Sequence, residues 1–178
     1  MKRLLFILAS ALLAFFVTST TAQAAVSVTV NLANAPSGTH FANGSAQPNC
    51  IVSGTTVNCN GYTLGGVGHT NADLLLTANY SATVDCFNGG TNRNNPIESH
   101  QTSFSDTNHA TLVPSRNGQL VVGAQSVSPR QVELDNATTC PNANWTAVIR
   151  GGTLTLTSFT YSLTFAGFSS PAVLITGP

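Results

Sequence analysis

The sequence predicts an all-β protein: a β-sandwich of immunoglobulin-like architecture, with its strand topology unassigned, preceded by a cleavable helical signal peptide. Three observations support this. Apolar and polar residues alternate in many short segments, Gly, Pro and Asn separate those segments, and no window of 12 residues after the first 24 holds a helical period. Short alternating segments between turn signals are typical of sandwich domains.

The first 24 residues have the pattern of a secretory signal peptide. Lys2 and Arg3 precede an apolar run from Leu4 to Val17, and Ala22-Gln23-Ala24 forms a small-x-small cleavage site. The run is shorter than the roughly 20 residues that span a bilayer. We therefore expect a secreted protein, extracellular or periplasmic, with no membrane span after cleavage and one domain over residues 25–178.

Several segments of the mature chain alternate with a period of two residues. The longest keeps Leu74 to Cys86 in one phase, which predicts a central strand that delivers Cys86 to the core. Residues 88–96 are rich in Gly, Asn and Pro and predict a loop, and residues 124–144 are expected to be irregular. The other predicted strands are 26–32, half-buried through its valines, and 101–104, 110–113, 119–122, 145–149, 153–165 and 172–176.

The last long strand contains a break in phase. Leu154 and Leu156 occupy even positions, whereas Phe159, Tyr161 and Leu163 occupy odd ones. One extra residue near Thr157-Ser158 would restore a common inward face, so we expect a β-bulge or a bend there.

The four cysteines, in a chain bound for an oxidising compartment, predict two disulfides. A two-residue turn at Gly54-Thr55 places Cys50 opposite Cys59 in a hairpin, at a non-hydrogen-bonded position. Elimination leaves Cys86 with Cys140, a bridge worth roughly 4 kcal/mol by chain entropy. A zinc site is the alternative, but no C-x₂₋₄-C pair is present, and we expect neither a metal nor another cofactor.

Charge limits the partners that the mature chain can have. Its four basic residues are all Arg and face six acidic ones, a formal charge of −2. Nucleic acids and anionic lipids are bound by clusters of Lys and Arg, so neither is an expected partner. The absence of Lys after residue 2 also excludes Schiff-base chemistry.

Trp145 follows Cys140 by five residues, and immunoglobulin domains pack a Trp against a disulfide. The order here is Cys, Cys, Trp instead of Cys, Trp, Cys. An immunoglobulin-like architecture is therefore compatible with the sequence, while the topology stays open.

Three strings carry a resemblance to a known group: Leu64-Gly65-Gly66-Val67-Gly68, the strand end from Ala82 to Gly90, and Cys140-Pro141-Asn142-Ala143-Asn144-Trp145-Thr146. They resemble a group of small secreted bacterial all-β proteins of uncharacterised function, over about residues 60 to 175. The resemblance implies fold and compartment only, and the Cys50 to Cys59 hairpin lies outside it.

A polar set is the best candidate for chemistry: Glu98, His100, Asp106 and His109 are expected on two arms around one predicted turn. His and carboxylate groups can bind Zn²⁺ or Cu²⁺, and a His with an Asp could serve a hydrolase. A polar loop with two arms would contain the same residues without binding a metal or catalysing a reaction. No Ser lies in a G-x-S-x-G motif, which marks the nucleophile of many hydrolases. We assign no catalytic residue and no metal ligand.

Carbohydrate binding needs an exposed aromatic ring. Tyr80, Tyr161 and Trp145 lie in core phase, so only Tyr62 is expected to be free. The four N-x-[ST] sequons are interpreted as chance products of an Asn/Thr-rich chain.

These points favour a secreted non-catalytic structural or binding protein of the cell envelope or extracellular space, with an envelope, glycan or protein partner. One alternative is a small exported hydrolase that uses a His/Asp pair. Another is a self-assembling surface-fibre subunit that joins copies through open sheet edges or through the terminal strand 26–32.

Overall fold

A computed structural model describes residues 25–88 and 95–178. The protein is all-β, with several antiparallel sheets. The predicted signal peptide, residues 1–24, and residues 89–94 of the predicted loop 88–96 lie outside the described residues. The strands are β1 Ser27–Val30, β2 His40–Phe41, β3 Cys50–Ser53, β4 Thr56–Cys59, β5 Tyr62–Gly65, β6 Ala72–Asn88, β7 Glu98–Leu112, β8 Leu120–Val122, β9 Gln125–Val127, β10 Trp145–Ile149, β11 Thr155–Phe165 and β12 Val173–Gly177. The helical elements are a 3₁₀ helix, Leu32–Asn34, and the α-helix α1, Gln131–Ala137.

The largest sheet is organised around β6. On one side of β6 lies β7, and on the other side lie β11 and β10, which pair with successive stretches of the same strand. The sheet continues from β11 to β12 and ends at β1. Two smaller sheets have the strand orders β2-β5-β8 and β3-β4-β9.

One hydrophobic core joins the large sheet to the small ones. The inward residues of β6, such as Leu74 and Leu76, share this core with Val57 of β4 and Leu64 of β5. Inside it the Tyr161 hydroxyl donates to the Tyr62 hydroxyl at 3.2 Å. Alternation in β6 arises because successive side chains of a strand point to opposite faces.

The predicted hairpin and both predicted disulfides are confirmed. Cys50 pairs with Cys59 across β3 and β4, their Cα atoms are 4.0 Å apart, and Gly54 in the turn has a φ of +60°. Cys86 is bonded to Cys140 with a Cα separation of 5.9 Å. The predicted bulge is also present, since the register between β11 and β6 shifts between Leu156 and Ser158.

Two predictions about secondary structure were wrong. Segments 101–104 and 110–113 belong to one continuous strand, β7, because its backbone stays paired with β6 through Asp106. The segment 124–144, expected to be irregular, contains β9 and the seven-residue α1. At β1 the inward valines are poorly covered: Val28 and Val30 remain 44% and 39% exposed at this edge.

The turn after β5 depends on a glycine. Gly66 has a φ of +73°, and a Cβ there would strike the carbonyl oxygen of Gly38. Gly44 has a similar φ of +75° with nothing within 4 Å of the same position.

We expect Gly66→Ala to destabilise the protein more than Gly44→Ala. Both alanines carry the strain of a left-handed backbone, about 1–2 kcal/mol, but only Gly66→Ala must also displace backbone. Urea unfolding of the two variants measures the difference. Equal losses would show that Gly66 and Gly38 do not approach closely.

Candidate functional site

The polar set predicted as two arms around a turn does not form a cluster. Glu98, His100 and Asp106 lie on the inner face of β7, whereas His109 lies on its outer face. Glu98 and His109 are eleven positions apart, about 36 Å along an extended strand. The expectation failed because β7 does not turn at Asp106-Thr107-Asn108. Among the described residues, no three His, Cys, Asp or Glu side chains are placed to hold a metal ion.

Asp106 fastens the segment before α1 to the large sheet. It is 2% exposed, and it accepts hydrogen bonds from Arg130 Nε at 2.7 and 2.8 Å, from the Arg130 backbone N–H at 3.1 Å and from the Thr107 N–H at 2.7 Å. The same hydrogen bonding raises the pKa of Arg130. These bonds occupy the carboxylate, so its role in this fold is structural.

The described histidines are dispersed over the fold. His40 lies on β2 and donates from Nδ1 to the Gly38 carbonyl at 2.8 Å, and His69 lies in the turn after β5. His100 has a buried Nδ1 without a partner in the described residues.

One His/Asp pair does form, though not the one expected. His109 Nε2 lies 3.6 Å from Asp73 Oδ1, and both side chains are more than half exposed on the outer face of the large sheet. The nearby Thr111 hydroxyl donates to Asp73 at 2.9 Å instead of to the imidazole. The three groups therefore lack the order of a nucleophile, base and orienting acid.

The outer face of the large sheet is a neutral, hydrogen-bonded surface. Asn79 of β6 donates to Ser158 of β11 at 2.9 Å and accepts from Ser105 of β7 at 2.7 Å. Two positions away along β6, the Thr77 hydroxyl lies 3.4 Å from the Thr107 hydroxyl of β7. Cross-strand hydroxyl and amide pairs stabilise this face, and they explain how the chain keeps a polar surface with few charges.

A partly buried ion pair closes one end of that face. Asp85 on β6 accepts from Arg150 Nη2 at 2.7 Å and from Ser99 Oγ at 2.6 Å. The hydrogen bonds from Arg150 and then Ser99 lower the pKa of Asp85. The carboxylate is thus held ionised as part of the sheet.

Aromatic exposure matches the sequence prediction at Tyr80 and Tyr161 and differs from it at Tyr62 and Trp145. Tyr62, expected to be free, is 4% exposed, and Tyr80 and Tyr161 are also buried. Trp145, expected in the core, is only half-buried. Its phase was predicted correctly, but none of the five residues of β10 is fully buried.

An open hollow of about 520 Å³ lies in front of Trp145. Its volume is within the usual range for small-ligand sites. The sides are supplied by the end of α1 and by the following turn. The lining residues are Asp135, Thr138, Thr139, Cys140, Asn142, Ala143, Trp145 and Ala147.

Local bonds hold this hollow in shape. The Thr138 N–H donates to the Leu134 carbonyl at 2.9 Å and ends α1, and the Trp145 N–H donates to the Asn142 carbonyl at 2.9 Å. The disulfide from Cys140 ties the same turn to Cys86 of β6. The hollow is therefore anchored to the central strand at both Cys140 and β10.

A second hollow, of about 330 Å³, lies between β7 and β9. Three of its polar side chains are already engaged: Asn108 donates to the Ser126 carbonyl at 3.2 Å, and Arg130 binds Asp106. We therefore take the Trp145 hollow, defined by the eight lining residues above, as the candidate site.

Comparison with known proteins found no matching family model, no matching curated protein and no matching solved structure. Within the described ranges, no helix is long and apolar enough to cross a membrane. The two disulfides indicate a non-reducing, extracellular environment.

Proposed function

We propose that this chain is a secreted, non-catalytic binding protein of the cell envelope or extracellular space, built as a β-sandwich of immunoglobulin-like architecture and exported by residues 1–24. The two disulfides support an extracellular setting. The core shared by the large and small sheets supports two packed layers. The resemblance to small secreted bacterial all-β proteins, which implies the same compartment, belongs to this proposal.

The Trp145 hollow is the observation that carries the binding role. It presents the one Trp of the sequence, half-buried, beside hydroxyl and amide groups, in a part of the fold anchored by a disulfide. Binding sites typically combine an apolar surface with a few placed polar groups. The scaffold offers such a site, and in residues 25–88 and 95–178 no acid, base and nucleophile are assembled, which favours binding over catalysis.

We expect the mature protein to co-sediment with insoluble envelope material from its source. For Trp145→Ala, we expect the amount of protein that sediments with this material to be at least tenfold lower. The indole supplies the largest apolar surface of the hollow. Asn108→Ala, in the second hollow, is the matched control and should sediment like the unmodified protein. Retention that is unchanged in Trp145→Ala would remove this site from the proposal.

Self-assembly is a second candidate, favoured by the edges of the large sheet. β7 has 15 residues and pairs with β6 alone among the described strands, and β1 at the opposite edge leaves Val28 and Val30 exposed. Unpaired edges can add strands from other copies. Light scattering of the purified protein at high concentration separates the two candidates, because a strictly monomeric species would reject assembly.

A further inference from the structure

We propose that the Trp145 hollow binds an uncharged carbohydrate, with the C–H face of one sugar ring stacked on the indole of Trp145. This inference rests on the proposed binding function and names its ligand class. It follows from the apolar floor of the hollow, from its polar rim and from the sign of its charge.

The floor of the hollow is apolar and ends in a flat ring. Trp145 and Ala147 lie on the same face of β10, two positions apart, and the disulfide of Cys140 continues this surface toward β6. Aromatic rings combine a large apolar face with low conformational freedom. A sugar ring presents C–H groups on one face and hydroxyls around its edge, so it can cover such a floor without burying its hydroxyls.

The rim supplies hydrogen-bond donors and acceptors that could serve those hydroxyls. Thr139 is exposed and offers a hydroxyl, and Asn142 keeps its amide NH₂ available while its Oδ1 accepts from the Asn144 N–H at 2.9 Å. Asp135 accepts from Gln131 Nε2 through Oδ1 at 2.7 Å, and its second oxygen can accept from another donor. Hydroxyls both donate and accept, and they match this mixture better than a ligand that only accepts.

Charge narrows the class of carbohydrate. Asp135 is the one charged residue among those that line the hollow, and no Arg is present there. An acidic sugar or a phosphorylated ligand would meet like charge without a compensating cation. The site therefore favours neutral sugars over uronic acids.

A proline-rich peptide is the competing kind of ligand for a half-buried Trp that lines a hollow. Grooves that bind such peptides are lined by several aromatic rings, whereas Trp145 is the one aromatic residue in the lining of this hollow. The single ring and the mixture of donors and acceptors on the rim favour a sugar.

The test is a titration of the mature protein, residues 25–178, with probes of three kinds: neutral cello-, manno- and chito-oligosaccharides, oligogalacturonides, and a polyproline peptide. Trp145 is the one Trp, so its fluorescence reports directly on the site. We expect at least one neutral oligosaccharide to shift the emission to shorter wavelength and to protect it from acrylamide quenching. By calorimetry, Trp145→Ala should lose at least tenfold in affinity for that sugar, while Asn108→Ala should lose nothing.

A second variant tests the charge argument. Asp135→Asn should raise the affinity for oligogalacturonides about fivefold relative to the neutral sugar, because it removes the like charge. Thermal unfolding of each variant verifies that the fold is retained. An unchanged ratio in the Asp135→Asn variant would show that this carboxylate does not face the ligand and would overturn the assignment of the rim.

The remaining outcomes are distinguishable. Three results would overturn the carbohydrate inference: tighter binding of oligogalacturonides than of neutral sugars, binding of the polyproline peptide alone, or no binding of any neutral oligosaccharide. If Trp145-dependent sedimentation with envelope material persists in those cases, the proposed binding function stands with another ligand. If that sedimentation is also absent, both proposals fail.

Discussion

Replacing Cys86 and Cys140 together by Ala is expected to lower the free energy of unfolding by about 4 kcal/mol. The bridge joins residues 54 positions apart, and it ties the turn before β10 to the central strand. Without it, the unfolded chain gains the conformational entropy of a long loop. Urea unfolding of the double variant measures the loss.

The matched control is the double variant Cys50→Ala/Cys59→Ala. Its bridge spans nine positions within one hairpin, so the same entropy argument gives about 2.5 kcal/mol. The removal of Cys140 should also weaken ligand binding, because Cys140 lines the Trp145 hollow. A larger loss of unfolding free energy in Cys50→Ala/Cys59→Ala than in Cys86→Ala/Cys140→Ala would show that Cys86–Cys140 is not the more stabilising disulfide.

The second large effect is expected at alkaline pH, since all three tyrosines are buried. Burial raises the pKa of Tyr161 to about 12, and burial followed by the charge of Asp106 raises the pKa of Tyr80 to about 12. Burial and the neighbouring Tyr161 raise that of Tyr62 as well. In an unfolded chain these phenols ionise near pH 10.

The sign of the effect follows from the protons bound in each state. Above about pH 10 the unfolded chain has released protons that the folded chain retains, so stability falls as the pH rises. The stability is complete below about pH 10 and declines progressively toward pH 12. Tyr80 contributes to this loss of stability, because its folded pKa of about 12 lies above the value near 10 of an unfolded chain.

Tyrosinate absorbance measured during alkaline titration checks this expectation. We expect little ionisation at pH 10 and then a cooperative rise that coincides with loss of the fold. Tyr80→Phe should move the unfolding midpoint to higher pH with little cost at neutral pH, because the Tyr80 hydroxyl has no hydrogen-bond partner among the described residues. Tyr62→Phe is the contrast, since it removes the bond to Tyr161 and should cost about 1 kcal/mol at neutral pH. Gradual ionisation centred on pH 10 with the fold intact would contradict the burial.

The elements that sequence patterns predicted well are those with an unbroken local signal. β6 keeps its alternation from Ala72 to Val84, and the hairpin of β3 and β4 combines a two-residue turn with cysteines in register. The bulge could be found because the apolar phase changes near Thr157. In each case the local pattern and the tertiary packing agree.

The elements that were missed depend on contacts distant in sequence. β7 carries Asp106 and Asn108 on its inner face, which interrupts the apolar alternation, but pairing with β6 and the contact with Arg130 keep the strand continuous. α1 has seven residues and no buried position, too short to show a helical period.

The candidate site could be predicted only in part. The phase of Trp145 and its proximity to Cys140 are visible in the sequence, and both are correct. Its exposure depends on how much of the inner face the other elements cover, and strand phase carries no information about that. The same limitation applies to Tyr62, which the core encloses through Tyr161.

The central claim is that ligand binding takes place at Trp145. The most direct measurement is acrylamide quenching of the fluorescence of this single Trp, with and without saturating envelope material in the same sample. The account predicts that bound protein shows emission at shorter wavelength and clearly reduced quenching. Unchanged emission and unchanged quenching, while the protein is fully retained on the material, would place binding elsewhere on the molecule and contradict the account.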